Sequence, residues 1–549
     1  MFNCRDCCEN MGQSHGFCGN TFQEGPPSES MRNNMITEWK NRDWKDYYEV
    51  EKTLVGEGSM GAINVVKKKS KMLGGSAYKH NRKSGLFGMF SSKKKENLFT
   101  DSNSYAMKSI RLGFVTNEFL DELRNEIAVL KTIDHPNIVK AYEVFESKKN
   151  LYIVMELCSG GDLYSRNPYS ERDAAKYTAM LLSAISFLHE HGVVHRDLKF
   201  ENIMFENTSP DAVIKVIDFG LSKKFLPGTL DTMTEGVGTI YTMAPQVLQG
   251  VYTSQADLWS VGVLTYMLLS RQKPFYHRKR RHVIDKIMRC AYDFNGPGWR
   301  GISLEAQKFV SSLIVLDPKD RLTADAALKH PWLDRNYNLS DRRPSQKAMD
   351  DVEGRLIRYA SQSDFKKMAL MVVAHKTTSE EVAELRSVFD QYDTGNDGTI
   401  TLDEFKMALS DSNYSEEDVE ALFDNVDVDK NGKIYYTEFL AATLEVVGRI
   451  EEDRLAEAFD KIDDDDTGYI SGKNLKKLLG KDYTPEKVAE IMKEVDTNKD
   501  GKISFDEFLR GFREKNVSLR AEVIADSDSD NSGGRLLGVS AKIPGGVHD

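Results

Sequence analysis

One lysine, three acids and an asparagine sit far apart in the chain, in stretches whose residue types suit a single kind of chemistry. Lys108 ends "YAMK", Glu126 lies in "FLDELRNEIAVLKTIDHPNIV", Asp197 and Asn202 in "HRDLKFEN", and Asp218 in "IDFG". Upstream, "VGEGSMGAI" sets Gly56, Gly58 and Gly61 in a G-x-G-x-x-G pattern with Ile63 in the final aliphatic place. Glycines let a backbone come close to phosphate oxygens, and taken alone the pattern would serve a dinucleotide fold as well. A lysine paired with a glutamate aims an ammonium at nucleotide phosphates. Phosphoryl transfer asks a protein mainly for positioning and charge neutralisation, which carboxylates, an amide and a lysine supply.

A second chemistry lies nearer the C-terminus. Asp-x-x-x-x-Gly elements begin at Asp393, Asp427, Asp463 and Asp496, a repeat of about 35 residues that calls for a modular reading. Each opens a twelve-residue loop with glycine at the sharp turn, the pattern of an EF-hand calcium site. In "DVDKNGKIYYTE" the ligand places hold Asp427, Asp429, Asn431, the Lys433 carbonyl, Tyr435 through water, and Glu438. In "DTNKDGKISFDE" they hold Asp496, Asn498, Asp500, the Lys502 carbonyl, Ser504 and Glu507, so these two loops should bind well. The first loop keeps Asp393, Asp397, Thr399 and Glu404 but has Gly395 at position three, which predicts weaker binding. The third keeps Asp463, Asp465, Thr467 and Tyr469 yet ends on Asn474, one neutral oxygen in place of a bidentate carboxylate, and should be the poorest.

These residues need elements to hold them. Strand-like alternation begins at Tyr48, is interrupted by a Gly-, Ser- and Lys-rich insert over about 70–103, and ends in an amphipathic helix carrying Glu126. Helical patterning then dominates to Trp332, with the apolar run "LWSVGVLTYMLL" too short, against about 20 residues, to span a bilayer. Ile400, Ile434, Ile470 and Ile503 all fall at position eight, where paired loops share a short strand. Phe389, Phe423, Phe459 and Met492 each precede their loop by one helical turn, the spacing that packs a helical core.

Across Tyr48 to Trp332 the motif set resembles the eukaryotic protein kinase family, and with the helix and loops that follow, the chain to about Arg513 resembles the calcium-dependent protein kinases of plants and protists. The resemblance implies an α+β bilobal kinase fold, with an antiparallel N-lobe and a mainly α C-lobe, followed by an all-α tandem EF-hand domain. It implies that Asp197 accepts the substrate hydroxyl proton, with Lys199 marking a Ser/Thr-type loop. ATP would be held by Gly56, Gly58, Gly61, Ile63, Ala106, Lys108, Met155, Glu156 and Cys158, with Asn202 and Asp218 on magnesium. Asp257 would brace the catalytic loop. Gln246 stands where the family has a glutamate, so a neutral hydrogen bond to Arg321 replaces an ion pair. Glu235 would pair with Arg196, and Asp162 and Glu201 would receive basic residues of the protein substrate.

The expected division is a flexible extension over 1–47, kinase over 48–332, junction over 333–378, EF-hands over 379–515 and a disordered tail over 516–549. Within the junction, Phe365, Met368, Ala369, Val372 and Val373 share one face, while Arg355, Arg358, Lys366 and Lys367 add charge. Such a basic amphipathic helix suits EF-hand grooves that open with calcium, and by family resemblance it occludes or distorts the active site at low calcium. A net charge of -11 argues against nucleic-acid binding. Cys4, Cys7, Cys8 and Cys18 form no disulfide or zinc framework, and a cytosolic monomer is expected. The N-terminal thiols and the basic insert, with Phe87 and Phe90, allow a peripheral contact with an anionic membrane. A catalytically dead scaffold and a calcium buffer are the competing classes.

Overall fold

Alternating apolar residues in "SYAMKSIR", "AYEVFE" and "NLYIVM" bury Met107, Val144, Ile153 and Val154 and so favour strands. The computed structural model describes residues 31–58, 61–69, 104–112, 117–225, 233, 237–336, 344–410, 414–444 and 449–513. Six strands, β1 (Thr37–Lys40), β2 (Tyr48–Gly58), β3 (Gly61–Lys68), β4 (Ser104–Arg111), β5 (Ala141–Glu146) and β6 (Asn150–Met155), form one sheet in the order β1-β5-β6-β4-β3-β2. Pairing is antiparallel except between β1 and β5, which run parallel with Thr37 opposite Glu143.

That sixth strand corrects one expectation. Residues 31–47 are not a flexible extension: Met31–Asn34 and Trp44–Asp46 are short helical turns, and β1 joins the sheet between them. Trp39 is buried there, and its Nε1 donates to Glu143 Oε2 at 3.1 Å. An indole with a satisfied N–H anchors a segment too short to show periodicity.

Helix α1 (Asn117–Thr132) lies on the sheet through Leu123, Val129 and Leu130. Helix α2 (Glu171–Glu190) starts on a capping box between Ser170 and Asp173 and is buried over most of its length. No helix intervenes between the end of β6 and α2; residues 163–166 form only a turn, in keeping with the short sequence there. The apolar run lies in the helix Gln255–Ser270, where every residue from Ala256 is buried. Among the described residues no helix is long and apolar enough to cross a membrane.

The junction is two helices, Gln346–Ala360 and Asp364–Lys376, each capped by a serine that accepts a backbone N–H. The second departs from the amphipathic expectation. Its face of Phe365, Met368, Ala369, Val372 and Val373 is buried, but so are Lys366, Met371, Ala374 and Lys376 on the other sides. It lies inside one hydrophobic core shared with both EF-hand pairs, from Ala348 to Phe512. The EF-hand helices run on to Arg513, and the position-eight isoleucines pair as expected, Ile400 with Ile434 and Ile470 with Ile503.

Candidate functional site

The β3–β4 ladder sets Ile63 opposite Lys108, and the β4–β6 ladder sets Ala106 opposite Met155, so four of the expected nucleotide contacts share one patch of sheet. Above them β2 pairs with β3 through Gly56–Ile63 and Gly58–Gly61. Gly61 must be glycine because a Cβ there would come within 2.2 Å of the Ser109 carbonyl oxygen. Lys108 Nζ lies 2.8 Å from Glu126 Oε1 on α1 and 3.0 Å from Asp218 Oδ1. Burial works against its charge, but those two carboxylates hold the ammonium above its usual range.

The catalytic-loop residues converge on one carboxylate. Asp197 Oδ2 accepts from Lys199 Nζ at 2.6 Å and from Asn202 Nδ2 at 3.2 Å, and its Oδ1 accepts from Thr239 Oγ1 at 2.7 Å. Asn202 also donates to the Asp197 carbonyl and accepts, through its own carbonyl, from Ile217 N. Asp257 accepts from the backbone N–H groups of His195 and Arg196 at 2.9 and 3.0 Å, which fixes Arg196 at φ 69° and the turn that presents Asp197. Arg321 Nη2 meets Gln246 Oε1 at 3.3 Å, as the substitution predicts, and burial without a carboxylate partner there pulls the guanidinium down to about 10. Glu235 and the insert lie outside the described residues, so the Arg196 pairing and the Phe87 and Phe90 contact do too.

At the hinge the structure adds something the residues did not announce. Cys158 is buried, which pushes its thiol pKa up and makes it inert. The Glu156 side chain turns away from the sheet patch, taking Lys215 Nζ at 3.1 Å and Ser379 Oγ at 2.7 Å, and Ser379 belongs to the link into the EF-hands. Of the two acids assigned to substrate, Glu201 is exposed and accepts from Tyr241 at 2.9 Å. Asp162 has one oxygen occupied by the N–H groups of Tyr164 and Ser165.

The four loops differ in how their side chains are engaged. In the second, Asp427, Asp429 and Glu438 bring carboxylate oxygens within 4.8 Å of one another, a donor set that fits a hard divalent cation. Burial and the neighbouring Asp429 push Glu438 up to about 8. Asn431 donates to Asp429, and Lys433 N closes the turn on Asn431 Oδ1. Tyr435 is a correction: its hydroxyl contacts His191 Nε2 at 2.7 Å rather than the loop. In the fourth loop Asp496 accepts from Asp500 N and Gly501 N, Asn498 from Asp500 N, and Asp500 from Lys502 N. Burial pushes the Glu507 carboxyl up, but N–H and hydroxyl donors from Ser504, Thr497 and Asn498 draw it down to about 2. The first loop folds around Asp393, Asp397, Thr399 and Glu404, with the Gly395 N–H donating to Glu404 at 2.7 Å. Burial and Asp397 push Asp393 well up.

The third loop is satisfied by its own side chains. Thr467 and Gly468 donate to Asp463, and the Thr467 hydroxyl also donates to the Tyr469 carbonyl. Asn474 gives its oxygen to Ser471, while its NH₂ donates to Asp464 and to Asp465 Oδ1 at 3.1 Å. A donor thus faces inward where a cation would need an acceptor.

A protein kinase domain model matches residues 78–333, and a model of an EF-hand domain pair matches 382–444 and 452–513. Calcium-dependent protein kinase 11 of Oryza sativa subsp. japonica is 36% identical over 425 residues, covering 76% of this chain and 73% of its own. Calcium-dependent protein kinase 17 of Arabidopsis thaliana is 36% identical over 429 residues, covering 75% of this chain and 79% of its own. The chain belongs to the calcium-dependent protein kinase family. It is a protein serine/threonine kinase, and its kinase domain implies ATP with a divalent metal.

In this kinase the EF-hands are fastened to the catalytic domain by residues the motifs did not flag. Arg386 forms a buried bidentate pair with Glu206 at 2.7 and 2.9 Å, and Thr437 donates through N and Oγ1 to Asp134 at 2.9 and 2.7 Å. Lys433 reaches Glu190 at 2.9 Å. Gly398 of the first loop sits on His135, where a Cβ would come within 2.0 Å of the imidazole. Nothing in the local sequence marks these contacts, because each joins partners far apart in the chain.

Proposed function

We propose that this kinase transfers the γ-phosphoryl group of Mg·ATP to serine or threonine hydroxyls of protein substrates, and that calcium in its EF-hands controls the rate. Asp197 accepts the hydroxyl proton as the oxygen attacks, and Lys199 stabilises the charge that builds on the transferred group. Lys108, steered by Glu126, orients the nucleotide phosphates, and Asn202 and Asp218 hold magnesium. Magnesium, when bound, neutralises the phosphate oxygens. Glu201 and Asp162 receive basic residues of the substrate. The intact Lys108–Glu126–Asp218 cluster favours an enzyme over a scaffold.

One observation carries the regulatory reading: the second junction helix belongs to the EF-hand core and is also anchored to the N-lobe. His375 Nε2 contacts the Ala141 carbonyl at 3.2 Å, and Lys376 pairs with Glu143 at 3.5 Å, both on β5. A change in EF-hand packing therefore pulls directly on the lobe that holds Lys108. We take the docking of the junction helix, and not the side-chain contacts of the second loop, as that of the released state; at low calcium the junction occludes or distorts the cleft. The second and fourth loops carry the tighter calcium sites. A cytosolic monomer, in peripheral contact with an anionic membrane through the N-terminal thiols or basic insert, belongs to the same proposal. Peptide phosphorylation by purified enzyme, measured against free calcium, tests it: a rate unchanged by a calcium chelator refutes calcium control.

A further inference from the structure

Residues 31–47 tie three parts of the molecule together. Met31 and Met35 are buried in the EF-hand core, and the Met31 N–H donates to Asp482 Oδ2 at 2.9 Å. Asn34 donates to the Leu478 carbonyl at 3.3 Å, and β1 then enters the kinase sheet. Two arginines of this segment end at calcium-type loops. Arg32 Nη2 lies 3.4 Å from Asp429 Oδ2, and its guanidinium carbon lies 3.3 Å from the centre of the Tyr435 ring. The side chain is 10% exposed, and its Nε and Nη1 are buried without a protein acceptor. Arg42 Nη1 meets Asp466 Oδ2, and Nη2 the Asp465 carbonyl, both at 2.9 Å in the third loop.

We propose that residues 31–47 are a latch in which Arg32 acts as a built-in competitor for the cation site of the second loop, while Arg42 fastens the latch to the third loop, which its own Asn474 already closes to a cation. A guanidinium is charged at neutral pH and carries donors but no acceptor, so it cannot join an oxygen cage around calcium. Arg32 instead shares the charge of Asp429 that the cage needs, in a buried setting where like charges repel strongly. Whatever Arg32 costs calcium binding, bound calcium costs Arg32 docking by the same factor. The third loop differs because Arg42 reaches Asp466 and the Asp465 carbonyl, outside the ligand carboxylates, while the Asn474 amide already donates to Asp465 Oδ1. The latch therefore has a half that calcium loosens, 31–35, and a half that it leaves in place, 37–47.

This inference rests on the second loop binding calcium, and the experiment separates the two. Equilibrium calcium binding is measured on the full chain by calorimetry, for the wild type and for Arg32→Gln, Arg42→Gln and Arg32→Gln/Glu438→Gln. Arg32→Gln is expected to tighten one site about tenfold, the gain to vanish in the double variant, and Arg42→Gln to leave the isotherm unchanged. Hydrogen exchange on the wild-type chain, which needs no variant to fold, should show amides 31–35 losing protection in saturating calcium while 37–40 keep theirs. An Arg32→Gln isotherm equal to or weaker than wild type overturns the latch, as does equal protection of 31–35 with and without the ion. A wild-type chain that takes up no calcium overturns the calcium reading as well.

Discussion

Glu143 is the point at which the N-terminal segment, the kinase sheet and the junction helix meet, and removing its charge should uncouple them. Its carboxylate accepts from Trp39 Nε1 at 3.1 Å, Lys68 Nζ lies 3.3 Å away, and Lys376 Nζ lies 3.5 Å away. Burial pushes this carboxyl up, yet Lys68, Lys376 and the indole draw it down to about 2. Relative to an ordinary glutamate that is a preference for the charged form of about 3 kcal/mol. Glu143→Gln keeps the shape but leaves Lys376, itself only 4% exposed, without its carboxylate, a loss of about 3–5 kcal/mol for a broken buried pair. In urea unfolding the variant should lose about 3 kcal/mol, and half-activation should need about tenfold more free calcium, because a docking equilibrium disfavoured by about 150-fold is shared between two coupled calcium sites. The pH dependence has a fixed sign. The folded carboxyl titrates below its unfolded counterpart, so the contribution is complete above the ordinary glutamate range and fades as pH falls towards 2. An unfolding free energy within about 0.5 kcal/mol of wild type, with an unshifted calcium curve, would refute the coupling.

The other predictions concern chemistry, calcium and docking. Asp197→Asn should lower turnover by about a thousandfold or more, with nucleotide binding retained, as read from single-turnover phosphorylation and ATP titration. Glu438→Gln should abolish one calcium-binding event and raise the calcium needed for activity, whereas Asp463→Asn in the self-satisfied third loop should leave the isotherm unchanged. Arg386→Met strands the buried Glu206 carboxylate and should cost about 3–5 kcal/mol in unfolding, much of it recovered in Arg386→Met/Glu206→Met.

The candidate catalytic residues were legible because phosphate chemistry fixes both residue type and local spacing, and a dozen residues of context around Asp197 or Lys108 suffice. The EF loops were legible for the same reason, down to the isoleucine pairs and the defect at Asn474. What escaped depends on partners distant in sequence. "TEWK" is four residues with no period of its own, and its strand exists because Glu143 and β5 receive it. The second junction helix is one-faced by periodicity because Lys366 looks like a solvent residue, whereas it is buried, as is Lys376. Tyr435 occupies a ligand position, but packing against α2 turned it outward, a choice made by tertiary contacts that loop spacing does not encode.

The parallel pairing of β1 with β5 also decides where this protein can be cut. A fragment beginning at Tyr48, the natural start by motif, would strip β1 from β5 and bare a row of amide and carbonyl groups beside the apolar hollow left by Trp39. Such an open border invites association with other chains, so a soluble catalytic fragment should begin no later than Met35.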